Sequence, residues 1–179
     1  GDIFAGYIAK KMDLPINKLI IATNENDILK RVIKTGVYKP KKVLQTISPS
    51  MDIQVASNFE RLIYDVLGQN SIKTKNVMNE FKKDKKYIID DESIVKIKND
   101  FVSESLNEKE TLEVIKINYE KHGVILDPHT AVGLGAVNKL GFDKDCVILS
   151  TAHPCKFPEA IKQAIQKNEN LPEQLNYIL

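Results

Sequence analysis

Tryptophan is absent from these 179 residues, and cysteine is limited to Cys146 and Cys155. Two thiols at that spacing fit no zinc or redox motif, and adding His129 and His153 gives no standard metal-ligand spacing either. No metal is therefore expected, and the thiols are expected to be reduced. An excess of one charge is also lacking. Lys and Arg number 26 against 24 Asp and Glu, a formal charge of +2, which removes the electrostatic reason to expect nucleic acid or an anionic membrane as partner. No apolar run approaches the length of a bilayer span, and the first residues show no basic-then-apolar export pattern, so a cytoplasmic protein is expected. Internal repeats and low-complexity tracts are missing too. So is the glycine-flanked serine of a nucleophile elbow, which argues against a Ser-His-Asp hydrolase.

What is present suits one globular domain. Hydrophobic residues make up 42% and charged residues 28% of the chain, enough apolar surface for a core and enough charge for a solvated exterior. Helical and strand patterns alternate. Ile3, Phe4, Tyr7 and Ile8 recur at helical spacing, with Asp2 placed to cap the helix and Pro15 beyond its end. Residues 18–23 read as a short buried strand. Asn24 or Asn26 is placed to cap a second helix with an apolar face of Ile28, Leu29, Val32 and Ile33, which Gly36 stops. Residues 46–53 are broken by Pro49, and Val55, Phe59, Leu62, Ile63, Val66 and Leu67 then form another helical stripe ending before Gly68.

Composition shifts from about residue 71 to residue 110, where Lys, Asp, Glu, Ser and Asn dominate and apolar positions are scattered. This segment predicts a peripheral helical excursion. Its run Lys82-Lys83-Asp84-Lys85-Lys86 is balanced by nearby acids and lacks interleaved aromatics, so it reads as a solvated face. A helix bearing Leu112, Ile115 and Tyr119 follows and closes at Gly123, where His122 suits the negative end of the dipole. Asp127-Pro128 then has the pattern of a helix start. Gly133 and Gly135 fall inside that helix, each costing about 1 kcal/mol relative to Ala. Close approach of a backbone or ligand accounts for such glycines, and so does tight helix–sheet packing.

The most informative stretch is Cys146 to Glu159. An apolar run, residues 146–149, predicts a buried strand whose carboxyl end presents Ser150 and Thr151 before a helix resumes at Ala160-Ile161. In open α/β sheets, ligands bind beyond the carboxyl ends of strands. The two hydroxyls either meet such a ligand or merely close the strand. Ser48, Ser50 and Asp52, in an irregular polar segment, either line a cleft or satisfy their own loop. Asn58 and Arg61 share a helix, and Arg61 suits either a phosphate or a structural salt bridge.

Six motifs in order resemble threonine synthase of the bacterial and fungal type. They are residues 1–12, Ala22-Thr23-Asn24-Glu25-Asn26-Asp27, Ser48-Pro49-Ser50-Met51-Asp52-Ile53, Ser57-Asn58-Phe59-Glu60-Arg61, residues 127–133, and Thr151 to Glu159. The resemblance spans nearly the whole chain and is weakest over 71–110. It implies an α/β fold, a three-layer sheet with flanking helices, forming the C-terminal part of a tryptophan-synthase-like (fold type II) enzyme that uses pyridoxal 5'-phosphate (PLP). Residues 1–179 are then expected to be a C-terminal piece of the large cofactor-binding domain, with the excursion at 71–110. The opening Gly1-Asp2, already inside a helical pattern and without an initiator Met, fits that expectation.

The resemblance further implies conversion of O-phospho-L-homoserine and water to L-threonine and phosphate, a carbon–oxygen lyase reaction of threonine biosynthesis. Gly1 and Asp2 match the end of the family's phosphate-binding glycine loop. Thr151 matches the residue that meets the pyridine nitrogen of the cofactor, with Ser150 its neighbour. A hydroxyl can donate to an unprotonated nitrogen, whereas a carboxylate partner favours the protonated ring. Ser48, Ser50, Asp52, Asn58 and Arg61 are candidates for the substrate. The family's Schiff-base Lys lies in a motif this chain does not contain, so the chain alone is expected to be inactive. With apolar faces uncovered it is expected to self-associate. A threonine or serine dehydratase-like enzyme of the same fold, or a non-enzymatic folding or interaction module, are the alternatives.

Overall fold

The computed structural model describes residues 2–142 and 146–167. Helix α1 (Asp2–Lys11) leads into strand β1 (Leu19–Thr23), helix α2 (Ile28–Thr35), the short strand β2 (Val37–Tyr38) and helix α3 (Ser57–Val66). Helix α4 (Ser71–Asp84), the short strand β3 (Tyr87–Ile88), helix α5 (Asp91–Asp100) and strand β4 (Phe101–Ser105) follow. Three more helices follow among the described residues: α6 (Glu108–His122), α7 (Pro128–Leu140) and α8 (Pro158–Ile165). No helix among the described residues is long and apolar enough to cross a membrane.

The centre is a parallel ladder in which β1 pairs with β4, from Leu19 opposite Phe101 to Thr23 opposite Ser105. Side chains alternate across a strand, so Leu19, Ile21 and Phe101 face one way and Ile20 and Ala22 the other. The first set joins a core built by Tyr7 of α1, Val32 and Ile33 of α2, and Phe59, Leu62 and Ile63 of α3. The second set meets Val132 and Ala136 of α7 together with Leu106. Helix α7 is backed in turn by α6 and α8 through Ile115, Ala131, Ile161 and Ala164. The layering is helix, sheet, helix. Residues 37–38 and 87–88 form a separate antiparallel pair, where Tyr38 packs on Phe81 and Phe59 with ring centroids 4.6 and 5.0 Å apart.

Many local signals act as read. The buried face of α2 is Ile28, Leu29, Val32 and Ile33, and Gly36 ends it in the left-handed conformation at φ 73°. Asp127 caps α7 and Pro128 occupies its first turn. Four expectations are corrected. Segment 71–110 is not peripheral: Phe81, Tyr87, Ile97 and Phe101 enter the main core, and residues 101–105 are half of the central ladder. The solvated outer faces of α4 and α5 dilute those few buried positions in the composition. Second, residues 146–149 form no strand. Val147 is 90% exposed, and among the described residues no neighbouring strand offers the inter-strand hydrogen bonds on which a strand depends. Third, neither Asn24 nor Asn26 caps α2; Asp27 holds that position, without a side-chain bond. Fourth, Asp2 is the first residue of α1 rather than its cap, where its charge still favours the positive end of the dipole.

The glycines of α7 are explained by packing. A Cβ on Gly135 would lie 2.2 Å from Leu106 Cδ2, and one on Gly133 would lie 3.1 Å from Ile148 Cγ2. Leu106 is 1% exposed and has nowhere to retreat. Gly135→Ala is therefore expected to lower the unfolding free energy by about 1–3 kcal/mol through overpacking. That outweighs the ~1 kcal/mol gained in helix propensity. Urea denaturation checks the sign, and a stabilised variant would contradict the packing account.

Candidate functional site

Three segments meet beyond the carboxyl end of β1. The first is the loop backbone on either side of α2 and β2, residues 24–27 and 39–54. It is held by short polar side chains: Asn24 Nδ2 reaches Asp52 Oδ1 at 2.7 Å, Thr46 Oγ1 at 2.8 Å and Ser48 Oγ at 3.0 Å. Asn26 Nδ2 donates to Asp52 Oδ1 at 3.0 Å and to the Leu44 carbonyl at 2.9 Å, while its Oδ1 accepts from the Leu44 N–H at 2.9 Å. Thr46 donates to both Asp52 oxygens, from its N–H at 2.8 Å and its hydroxyl at 2.7 Å. Buried polar atoms without such partners are expensive. The loop can leave the strand end as irregular backbone because these side chains replace ladder bonds.

The second segment is the start of α7. Asp127, 1% exposed, accepts at Oδ1 from the His129 N–H at 2.9 Å and the Thr130 N–H at 3.4 Å. Its Oδ2 accepts from the Thr130 hydroxyl. His129 Nδ1 lies 2.9 Å from Asp127 Oδ1, and its Nε2 accepts from the Ser50 N–H at 3.2 Å. These two bonds select the tautomer with its proton on Nδ1. Burial pushes the Asp127 carboxyl up, but hydrogen bonds from His129 and Thr130 outweigh it and hold the group below the usual carboxylate range. Because a backbone N–H occupies Nε2, the pair does not activate a hydroxyl nucleophile. It pins the turn at Pro49–Met51 to α7.

The third segment is residues 146–157. Ser150 Oγ lies 3.2 Å from Thr130 Oγ1, and Phe157 packs against His129 with centroids 5.0 Å apart. Both Ser150 and Thr151 are exposed. Asp127 thus reaches the loop after β1 through His129 and the Ser150 hydroxyl through Thr130.

Of the residues nominated from sequence, Ser48, Ser50, Asp52, Ser150 and Thr151 lie on these converging segments. Ser48 and Asp52 turn inward, since Ser48 is 1% exposed and Asp52 binds its own loop, whereas Ser50 faces solvent. Asn58 and Arg61 lie apart, on α3. Arg61 is exposed, its guanidinium 5.8 Å from the centroid of Phe4 in the first turn of α1, the same turn as exposed Asp2. Gly1 lies outside the described residues. Sequence reasoning missed the structural parts of Asn24, Asn26, Thr46, His129 and Thr130. The signal available was two Asn directly after a buried strand, with an Asp in the next polar segment. A groove of about 850 Å³ between α6 and α8, lined by Leu112, Tyr119 and Ala164 among others, shares no residue with this cluster and offers little convergent chemistry.

The chain is similar to known proteins over nearly its whole length. Residues 130–179 match a family model described as threonine synthase, C-terminal. The chain is 42% identical to the threonine synthase of Pseudomonas aeruginosa over 92% of its own length and 35% of the relative's. It is 45% identical to that of Saccharomyces cerevisiae over 98% of its length and 39% of the relative's. Among solved structures, the PLP-bound threonine synthase from Brucella melitensis superposes with a TM-score of 0.90 at 41% identity. That match covers 97% of this chain and 38% of the other. The yeast enzyme gives a TM-score of 0.89 at 41% identity, covering 99% and 40%. The chain spans 35–39% of the length of the curated relatives named here.

Asp127 also makes stability depend on pH. Its folded-state value is depressed, so its contribution is present above the unfolded value of about 4 and is lost as pH falls through the folded one. Asp127→Asn is expected to lower the unfolding free energy by about 1–3 kcal/mol at pH 7. The gap between variant and parent should narrow as pH falls below the unfolded value of about 4. Denaturant titrations across that range test this, and a gap unchanged by acid would contradict it.

Proposed function

We propose that this chain, which carries the sequence and fold of the threonine synthases over nearly its whole length, is the C-terminal part of a PLP-dependent enzyme of that kind. The enzyme would convert O-phospho-L-homoserine and water into L-threonine and phosphate in threonine biosynthesis, in the cytoplasm. Residues 1–179 would belong to its large cofactor-binding domain. The supporting observation is that the likeness extends over 97% of the chain at a TM-score of 0.90, while the family-like motifs at Asn24, Ser48, Asp127 and Thr151 lie on the segments that meet beyond β1.

The residues present suit the cofactor. The donor set at residues 150–151 is hydroxylic and exposed, matched to a pyridine nitrogen that needs a donor and not a countercharge. The first turn of α1 carries N–H groups without intrahelical partners, the ready partner of a phosphate. Thr151 would donate to the ring nitrogen with Ser150 beside it, and Gly1 and the Asp2 N–H would receive the phosphate. When bound, the cofactor supplies an electron-withdrawing ring that eases loss of a proton and of phosphate from an amino-acid substrate. Ser50, at the rim, and Arg61, beside the start of α1, would contact the substrate, with Asn58 on the same helix. Ser48 and Asp52 would act indirectly by holding the loop that presents Ser50.

The Lys that holds the cofactor in this family has no matching motif here, so the 179-residue chain by itself would be inactive. Exposed Val147 at 90%, Met12 at 71% and Leu149 at 53% are apolar surface of the sort that drives association. The isolated chain is accordingly proposed to self-associate.

The complete protein, assayed with O-phosphohomoserine, should release phosphate and threonine in equal amounts, and the isolated chain neither. Thr151→Val in the complete protein is expected to lower kcat/KM about 3- to 10-fold, the loss of one neutral hydrogen bond to the ligand. It should also shift the absorbance of the bound cofactor. Ammonia release without phosphate would instead identify a dehydratase-like eliminase.

A further inference from the structure

Every backbone N–H of the turn at residues 46–52 has a partner. Thr46 donates to Asp52 Oδ2 at 2.8 Å, and Ser48 to Thr46 Oγ1 at 3.1 Å. Met51 and Asp52 donate to the carbonyls of Ser48 and Pro49 at 2.9 and 3.1 Å, and Pro49 has no N–H to offer. The two remaining donors leave the turn. The Ile47 N–H meets Glu108 Oε1 at the start of α6 at 2.9 Å, and the Ser50 N–H meets His129 Nε2 in the first turn of α7 at 3.2 Å. A turn whose donors are all used cannot cradle an anion through its backbone, so it presents side chains instead. The Ser48 hydroxyl is turned inward to Asn24. Ser50 is exposed, and among the described residues it is bonded only through its N–H.

The two outside anchors are unequal. Glu108 is exposed, and a solvated side chain fixes little. The His129 side chain is 10% exposed, with Nδ1 2.9 Å from buried Asp127, and its ring packs on Phe157. We propose that His129 is a positioning residue: it fixes the backbone at Ser50 and thereby the direction in which the Ser50 hydroxyl meets substrate. This rests on the reading of the preceding subsection, in which Ser50 contacts the substrate, and deepens it by naming what sets that contact. His129 touches no ligand, because Asp127 takes one ring nitrogen and the Ser50 N–H the other. An anionic oxygen of the substrate is the partner such a free hydroxyl serves.

The test uses the complete protein with His129→Asn, His129→Gln, Ser50→Ala and the His129→Asn/Ser50→Ala double variant. An Asn amide stands where Nδ1 stands and keeps a donor for Asp127, but it is too short for Ser50. A Gln amide reaches the place of Nε2 with an oxygen that can accept the Ser50 N–H. KM and kcat for O-phosphohomoserine and hydrogen exchange over residues 47–52 are measured for each. His129→Asn is expected to raise KM about 5- to 10-fold, the effect of one lost hydrogen bond. Its kcat should stay within about twofold, the pattern of lost binding, and exchange at the Ser50 amide should quicken. His129→Gln should recover most of both effects. The double variant should show a KM no higher than Ser50→Ala alone, because the two residues act in series. KM effects that multiply overturn the proposal. So does an unchanged KM in His129→Asn, or a His129→Gln protein no better than His129→Asn. Failure of the unaltered protein to turn over O-phosphohomoserine overturns the preceding reading instead. Exchange then decides the anchor: faster exchange at Ser50 in His129→Asn alone supports it, and equal exchange in both variants overturns it.

Discussion

A parallel β pair has two faces to bury and cannot close through a tight turn, and β1 with β4 is such a pair. Its strands are separated by some eighty residues and meet in register from Leu19 and Phe101 onward. A sheet of this kind is found where helices cover both faces. Here α1, α2 and α3 cover the face of Ile21 and Phe101, and α7 covers the face of Ile20 and Ala22. Close seating of α7 follows, with Gly135 against Leu106. Seated there, α7 brings its capped N-terminus beside the carboxyl end of β1. The candidate site is thus a consequence of covering the sheet.

At that corner one buried carboxylate organises two loops. Asp127 caps α7, fixes the tautomer of His129 and so holds Ser50, and accepts from the Thr130 hydroxyl, whose oxygen lies 3.2 Å from Ser150 Oγ. A buried charge is tolerable when its lone pairs are filled, and each filled lone pair here restrains a segment. The Asn24–Asn26–Asp52 network does the same for the loop after β1. Between them, the irregular backbone around the site gains an order that the sheet itself does not supply.

Local chemistry was legible in the sequence where a single residue type leaves few options. Asp127-Pro128 marked a helix start, Gly36, Gly123 and Gly141 marked helix ends, and the α2 stripe marked its buried face. Pairing was not legible. Phe101–Ser105 is the core partner of β1, yet three of its five residues are Ser or Glu and it follows a charged helix. The opposite error fell on residues 146–149, apolar enough to read as a buried strand but without a ladder among the described residues. Asn24 and Asn26 resemble helix caps in any linear reading, because the same short polar side chain that caps a helix also fastens a loop. Only three-dimensional proximity to Asp52 distinguishes the two uses. The hydroxyls at 150–151 close no strand, and Ser150 reaches this corner through Thr130.

The central claim is that this chain supplies one wall of a PLP site, with the ring nitrogen at Thr151 and the phosphate at the start of α1. A crystal structure of the complete protein with PLP bound measures that directly. The account predicts Thr151 Oγ1 within hydrogen-bond distance of the ring nitrogen, Ser150 Oγ still bonded to Thr130, and the phosphate at the first turn of α1. A ring nitrogen paired with a carboxylate, or a cofactor that touches no residue of 146–157, would contradict it.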